Sequence, residues 1–112
     1  MEEATYRGVS INATVSFSVA QALLAAEAVE RGLARRDAEN RDTTRMGPVI
    51  TIMMGRLEDW LRERADADSI SVHPGAMPWA GVAVVKRAYG VWQERRFRAR
   101  LLAAAIRHHL HW

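Results

Sequence analysis

Val49-Ile50-Thr51-Ile52-Met53-Met54 is a near-continuous apolar run, entered through Gly47-Pro48 and closed by Gly55. A run this short, bounded by turn residues and rich in β-branched side chains, reads as a strand. Its lack of alternation is that of a parallel strand covered on both faces. Parallel strands cannot be joined by tight turns and need crossovers, usually helical. The chain on either side supplies them.

Upstream, Val9 to Phe17 is rich in β-branched residues and reads as another strand. Ser18 and Gln21 follow at the spacing of a helix-capping box. Ala20, Leu23, Leu24, Ala26 and Val29 then recur at helical spacing, and this helix runs out near Arg35-Arg36-Asp37-Ala38-Glu39. Asn12 and Thr14, two apart near the C-terminal end of that strand, point to one face and form a candidate site. Downstream, Arg56 to Arg64 reads as a short amphipathic helix with Leu57, Trp60 and Leu61 on its inner side. Ala65 to Gly75 is polar and loop-like. Pro78 suits the first residue of a third helix, continued through Val82, Val85, Ala88, Tyr89 and Trp92. Arg98 to Ile106 completes the pattern as a third strand, although its alanines equally permit helix. The order implies an α/β fold with about three parallel strands. Both edges of such a sheet are open, so the chain reads as part of something larger.

The 112 residues suffice for a single modest domain. With no cysteine, disulfides and thiolate chemistry are excluded, and a cytoplasmic setting is expected. No uncharged apolar run is long enough to span a membrane, and the acidic start, Met1 to Arg7, lacks the apolar core of a signal peptide. The net charge of +3 comes almost wholly from arginine, Lys86 being the only lysine. Arg31, Arg35 and Arg36, and then Arg95, Arg96, Arg98 and Arg100, sit at helix ends or in loops. No aromatic platform accompanies them, so they read as solvated charge and not as a nucleic-acid surface. His108, His109 and His111 have no carboxylate cluster near them in the sequence, and no metal is expected there.

Three segments together resemble one family. Gly8 to Ser18 with Gln21-Ala22 resembles the fifth barrel strand and following helix of transaldolases. Thr51-Ile52-Met53-Met54-Gly55-Arg56-Leu57-Glu58-Asp59-Trp60 is similar to the sixth strand, and Ala103-Ala104-Ala105-Ile106-Arg107 to the end of the seventh. The resemblance implies a partial (β/α)8 barrel, residues 1–112 forming a single incomplete barrel unit resembling strands 5–7. It implies transfer of a dihydroxyacetone unit between sugar phosphates in the pentose phosphate route, through a Schiff base and without cofactor or metal. By the same resemblance Thr14 is catalytic, positioning a water for proton transfer. Asn12 and Thr51 line the substrate pocket, and Arg56 and Arg107 hold the phosphate. Thr51 stands where serine is common, Met53 and Ile106 where aromatics are common, Ala105 for a serine and His108 for an asparagine. The Schiff-base lysine belongs to the family's fourth strand and has no counterpart in residues 1–112; Lys86 reads as a solvated helix residue. The chain by itself is therefore expected to be inactive. The alternative is a non-catalytic sugar-phosphate-binding or assembly module, and expected partners are a sugar phosphate, a second copy or a missing barrel half.

Overall fold

The computed structural model describes all of residues 1–112, and its backbone follows the expected alternation. Strands β1 (Asn12–Ser16), β2 (Val49–Met53) and β3 (Arg100–Ala104) form one parallel sheet in the order β1-β2-β3. Helices α1 (Glu2–Tyr6), α2 (Val19–Ala38), α3 (Met54–Ala67) and α4 (Ala80–Arg95) surround them, with 3-10 turns at Met77–Trp79 and His109–His111.

Local chemistry explains the main boundaries. Ser18 Oγ accepts the Gln21 N–H at 3.2 Å, and Gln21 Oε1 accepts the Ser18 and Phe17 N–H groups at 3.1 and 2.9 Å. The capping box that the spacing predicts is therefore complete. Pro78 lies in the 3-10 turn leading into α4, where a missing N–H costs nothing. Strand β3 is extended and not helical: its backbone runs in register with β2 from Val49↔Arg100 to Met53↔Ala104.

The core lies between the sheet and α2 and α4. Ile50 and Ile52 point into it, against Ala22, Ala25, Ala26, Val29 and Leu33 of α2 and Ala88 and Trp92 of α4. The opposite face of the sheet has no helix over it, and Leu102 there is 45 % exposed. The middle of β2 is nonetheless covered on both faces as expected, since Ile50, Thr51 and Ile52 are all buried. The radius of gyration is 16.3 Å, against about 13 Å for a compact domain of this length. That elongated, one-sided shape is compatible with a section of barrel wall. Both outer strand edges are unpaired.

Three further features differ from expectation. Residues 2–6 form a helix, which no periodicity announces. Its partners are distant: Thr5 packs on Gly32, where an added Cβ would come within 2.7 Å of it. Glu2 pairs with Arg31 at 2.8 Å, Glu3 with Arg35 at 3.2 Å, and the Tyr6 ring lies 3.9 Å under the Arg35 guanidinium. The second arginine burst is likewise paired, Arg95 with Glu27, and Arg98 with Glu30 and Asp37. Both bursts thus stitch α2 to its neighbours. Next, α3 is longer than expected and rotated: Met54, Gly55 and Glu58 are its buried face, while Trp60 is 59 % exposed. Finally, β1 is bulged between Ala13 and Ser16, with Val15 at φ 63°.

The Glu2–Arg31 and Glu3–Arg7 hydrogen bonds hold both carboxyls below their ordinary value of 4.5. Their pairing therefore stabilises α1 fully above about pH 4.5 and is lost as pH falls through the lowered folded values. Amide exchange should show α1 opening on acidification before α2 does, and added salt should have the same effect because the pairs are exposed. Unchanged protection of Thr5 and Tyr6 at low pH would contradict this.

Candidate functional site

The C-terminal ends of parallel barrel strands are where such folds place chemistry, and Arg56 and Arg107 follow the ends of β2 and β3. Asn12, however, opens β1 and Thr51 lies midway along β2, which corrects the expectation that Asn12 sits near the C-terminal end of its strand. Asn12 and Thr51 come together on adjacent strands, the Thr51 hydroxyl donating to Asn12 Oδ1 at 2.7 Å. Thr51 is buried, so this bond gives its hydroxyl the partner that burial requires. It also leaves the Asn12 amide group free to donate to a ligand. Thr14 is exposed on β1 and has no side-chain hydrogen-bond partner.

Arg107 donates to Asp59 Oδ2 at 2.9 Å. That hydrogen bond pulls the Asp59 carboxyl below its usual value, and the Arg107 charge and the more distant Arg56 and Arg62 charges add to the effect. Arg107 pairs with this carboxylate directly, and Arg56 acts on it only through its field. A phosphate presents the same oxygen-rich, anionic surface to guanidinium groups.

The helix starts point the same way. The capping box occupies donors at the start of α2. At α3 no side chain caps the first turn and no acid lies in it, so its dipole favours an incoming anion, although the Gly55 N–H is already taken by the Ala105 carbonyl. Arg56 belongs to that turn. Between the two helix starts is a cleft of 540 Å³ lined by Phe17, Ser18, Gln21, Arg56, Leu57, Asp59, Trp60 and Glu63. Of the residues expected from sequence, only Arg56 lines it. Asn12, Thr14 and Thr51 lie on the strands instead.

Backbone strain marks the same rim. Val15 and Ala105, at the ends of β1 and β3, take φ of 63° and 59°, a region non-glycine residues occupy at a cost of about 1–3 kcal/mol. Gly55 makes the junction between strand ends possible: its N–H donates to the Ala105 carbonyl at 3.1 Å, and the same oxygen occupies the space a Cβ would need.

A family model described as transaldolase/fructose-6-phosphate aldolase matches residues 1–111. The chain belongs to this family. No curated protein matches it. Residues 1–112 of this transaldolase-family chain contain one lysine, Lys86, and it is exposed on α4, away from the strand ends.

Sequence reasoning missed two acids. Asp59 lies in the segment that carries the resemblance, but nothing local indicates that it pairs with Arg107. Glu58 reads as a solvent-facing helix residue, yet its side chain is wholly buried. Its Oε1 lies 2.6 Å from His111 Nε2, and its Oε2 lies 3.1 Å from His108 Nε2. The expectation that the terminal histidines have no accompanying carboxylate is thereby corrected: the acid comes from α3, far away in sequence. This cluster is the one group of side chains that could hold a metal ion. No helix is long and apolar enough to cross a membrane.

Proposed function

We propose that this chain forms the sugar-phosphate-holding wall of a Schiff-base aldolase of the transaldolase type, corresponding to barrel strands 5–7. Arg56 and Arg107 hold the phosphate, Asn12 and Thr51 contact the sugar hydroxyls, and Thr14 positions the water that moves a proton. The observation that carries this reading is the Arg107–Asp59 pair, within the field of Arg56, beyond the ends of the strands, where an anion already sits against a guanidinium. In the free chain Asp59 takes the place that a phosphate would claim, and binding exchanges one anion for another.

The pathway role, transfer of a dihydroxyacetone unit in the pentose phosphate route in the cytoplasm, follows from the same reading. The covalent step needs a lysine of lowered pKa beside the sugar carbonyl. Lys86 is exposed on α4, so residues 1–112 alone bind without chemistry unless a lysine-bearing barrel half or a second copy completes the site. The open edges of β1 and β3 are where that partner pairs.

Fructose 6-phosphate should raise the melting temperature of the purified chain, because a ligand that binds only the folded state stabilises it. Arg56→Ala and Arg107→Ala should each weaken binding by roughly 10- to 100-fold, the value of a charge-assisted hydrogen bond of about 1.5–3 kcal/mol. Asp59→Asn should strengthen it, since the competing anion is gone. Borohydride trapping should leave the mass unchanged. An adduct on Lys86 would refute the non-covalent reading of this chain, and undiminished binding in both arginine variants would refute the site itself.

A further inference from the structure

We propose that Glu58, His108 and His111 form a binding site for a first-row divalent cation of the zinc type. The site clamps the turn after β3 onto α3. It stands apart from the sugar-phosphate reading, because none of its three side chains is assigned to substrate.

The three ligands come from two distant places in the chain. Glu58 projects from the buried face of α3, and the two histidines, three apart, are the N-cap and the last residue of the final 3-10 turn. Their ligand atoms all lie within 4.8 Å of one another, and the two imidazole centroids are 3.9 Å apart, tilted by 50°. Two imidazoles and one carboxylate are a donor set that zinc accepts, with a water completing the tetrahedron. Ligand atoms of a tetrahedral zinc site stand roughly 3.3 Å apart, given metal–ligand distances near 2.0–2.1 Å. The Glu58–His108 separation of 3.1 Å is close to that already, and the Glu58–His111 separation of 2.6 Å must open slightly. His108 is the partly exposed member, so the water ligand enters from its side.

Charge argues in the same direction. The side chains of Glu58 and His111 are both fully inaccessible. A buried carboxylate needs a compensating charge. The nearest guanidinium, Arg62, stands 4.0 Å away, at the outer limit of an ion pair. Neutral imidazoles donate hydrogen bonds but bring no charge, whereas a divalent ion brings two.

Occupancy has a consequence for Arg107. The Arg107 N–H donates to His111 Nδ1 at 3.2 Å, which puts the imidazole proton on Nε2, facing Glu58. When Nε2 binds the ion, that proton leaves and neutral His111 carries its proton on Nδ1 instead. The Arg107 N–H then loses its acceptor and turns away. Metal binding therefore changes the backbone at Arg107 without net proton release from the imidazole.

The test starts from the purified chain stripped with EDTA. Zinc should bind at one equivalent by titration calorimetry and raise the melting temperature. Cobalt(II) should give the intense visible bands of a tetrahedral site, and the Arg107 amide should be among the resonances that shift most. Glu58→Gln and His108→Ala should each weaken zinc binding by on the order of 100-fold, while His109→Ala, at the exposed neighbour, should not. His108→Ala removes a partly exposed ring, so it keeps the test decisive if Glu58→Gln fails to fold. Absence of zinc binding by the folded wild-type chain would overturn the proposal and leave a proton-bridged cluster in its place. So would equal binding by His108→Ala, or a cobalt spectrum of octahedral type.

Discussion

Trp92→Ala is expected to cost about 3–5 kcal/mol, the largest loss from any single truncation in this chain. Trp92 is 5 % exposed on α4, where its ring meets Ile50, Ile52 and the small residues of α2 within one core cluster. Its edge packs on Phe97 at 5.0 Å between centroids, and its indole N–H donates to the Ala99 carbonyl at 2.8 Å. Truncation empties the largest side chain of the core and leaves that carbonyl buried without its partner, which adds about 1–3 kcal/mol of its own. Ala99 directly precedes β3, so the edge strand loosens with it. Against a typical stability of 5–15 kcal/mol, much of the folded population is at risk. Trp92→Phe keeps most of the packing and loses only the hydrogen bond, so it should cost clearly less. Denaturant unfolding followed by far-ultraviolet circular dichroism measures both. A loss under about 1 kcal/mol for Trp92→Ala would mean that the core does not depend on it.

Gly55→Ala should destabilise the chain by about 2 kcal/mol although alanine is the better helix former. The two effects oppose each other, and their sizes decide the sign. Helix propensity favours alanine by at most about 1 kcal/mol. The added Cβ, however, would overlap the Ala105 carbonyl oxygen and stand 2.5 Å from Arg107 Cγ. Backbone is the obstacle, so no rotamer change relieves it. The Gly55–Ala105 hydrogen bond opens, and Arg56 and Arg107 are pushed apart on either side of it. Fructose 6-phosphate binding should fall together with stability. Gly90 provides the control: it lies in α4 with nothing within 4 Å of a built Cβ. Gly90→Ala should stabilise by about 0.5–1 kcal/mol. If the two substitutions shift the melting temperature in the same direction, the close approach at Gly55 is not a constraint on the fold.

The two glycines show how far reading along the chain reaches. From sequence both interrupt apolar patterns, and Gly55 reads as the end of a strand. In the fold it is the second residue of α3, where two backbones touch. The same contact sets the rotation of α3. Leu57, Trp60 and Leu61 look like its inner side, since spacing alone favours apolar residues there. Packing instead presses Met54 and Gly55 toward the sheet and α4, which turns Glu58 inward and leaves Trp60 outside.

Terms that act within one turn of chain were legible: the Ser18–Gln21 box, the Gly47-Pro48 entry to β2, the Pro78 start before α4 and the strand–helix alternation itself. So was the family, through segments whose residue types match it. These features depend on neighbours three or four positions away, or on text that a family shares. Only the tertiary structure decided that α1 exists, because Arg31, Arg35 and Gly32 hold it. It also decided that Asp59 pairs with Arg107 and that Glu58 meets His108 and His111. Each of these rests on contacts between residues dozens of positions apart, and no period in the sequence encodes which distant side chain will neutralise a buried charge.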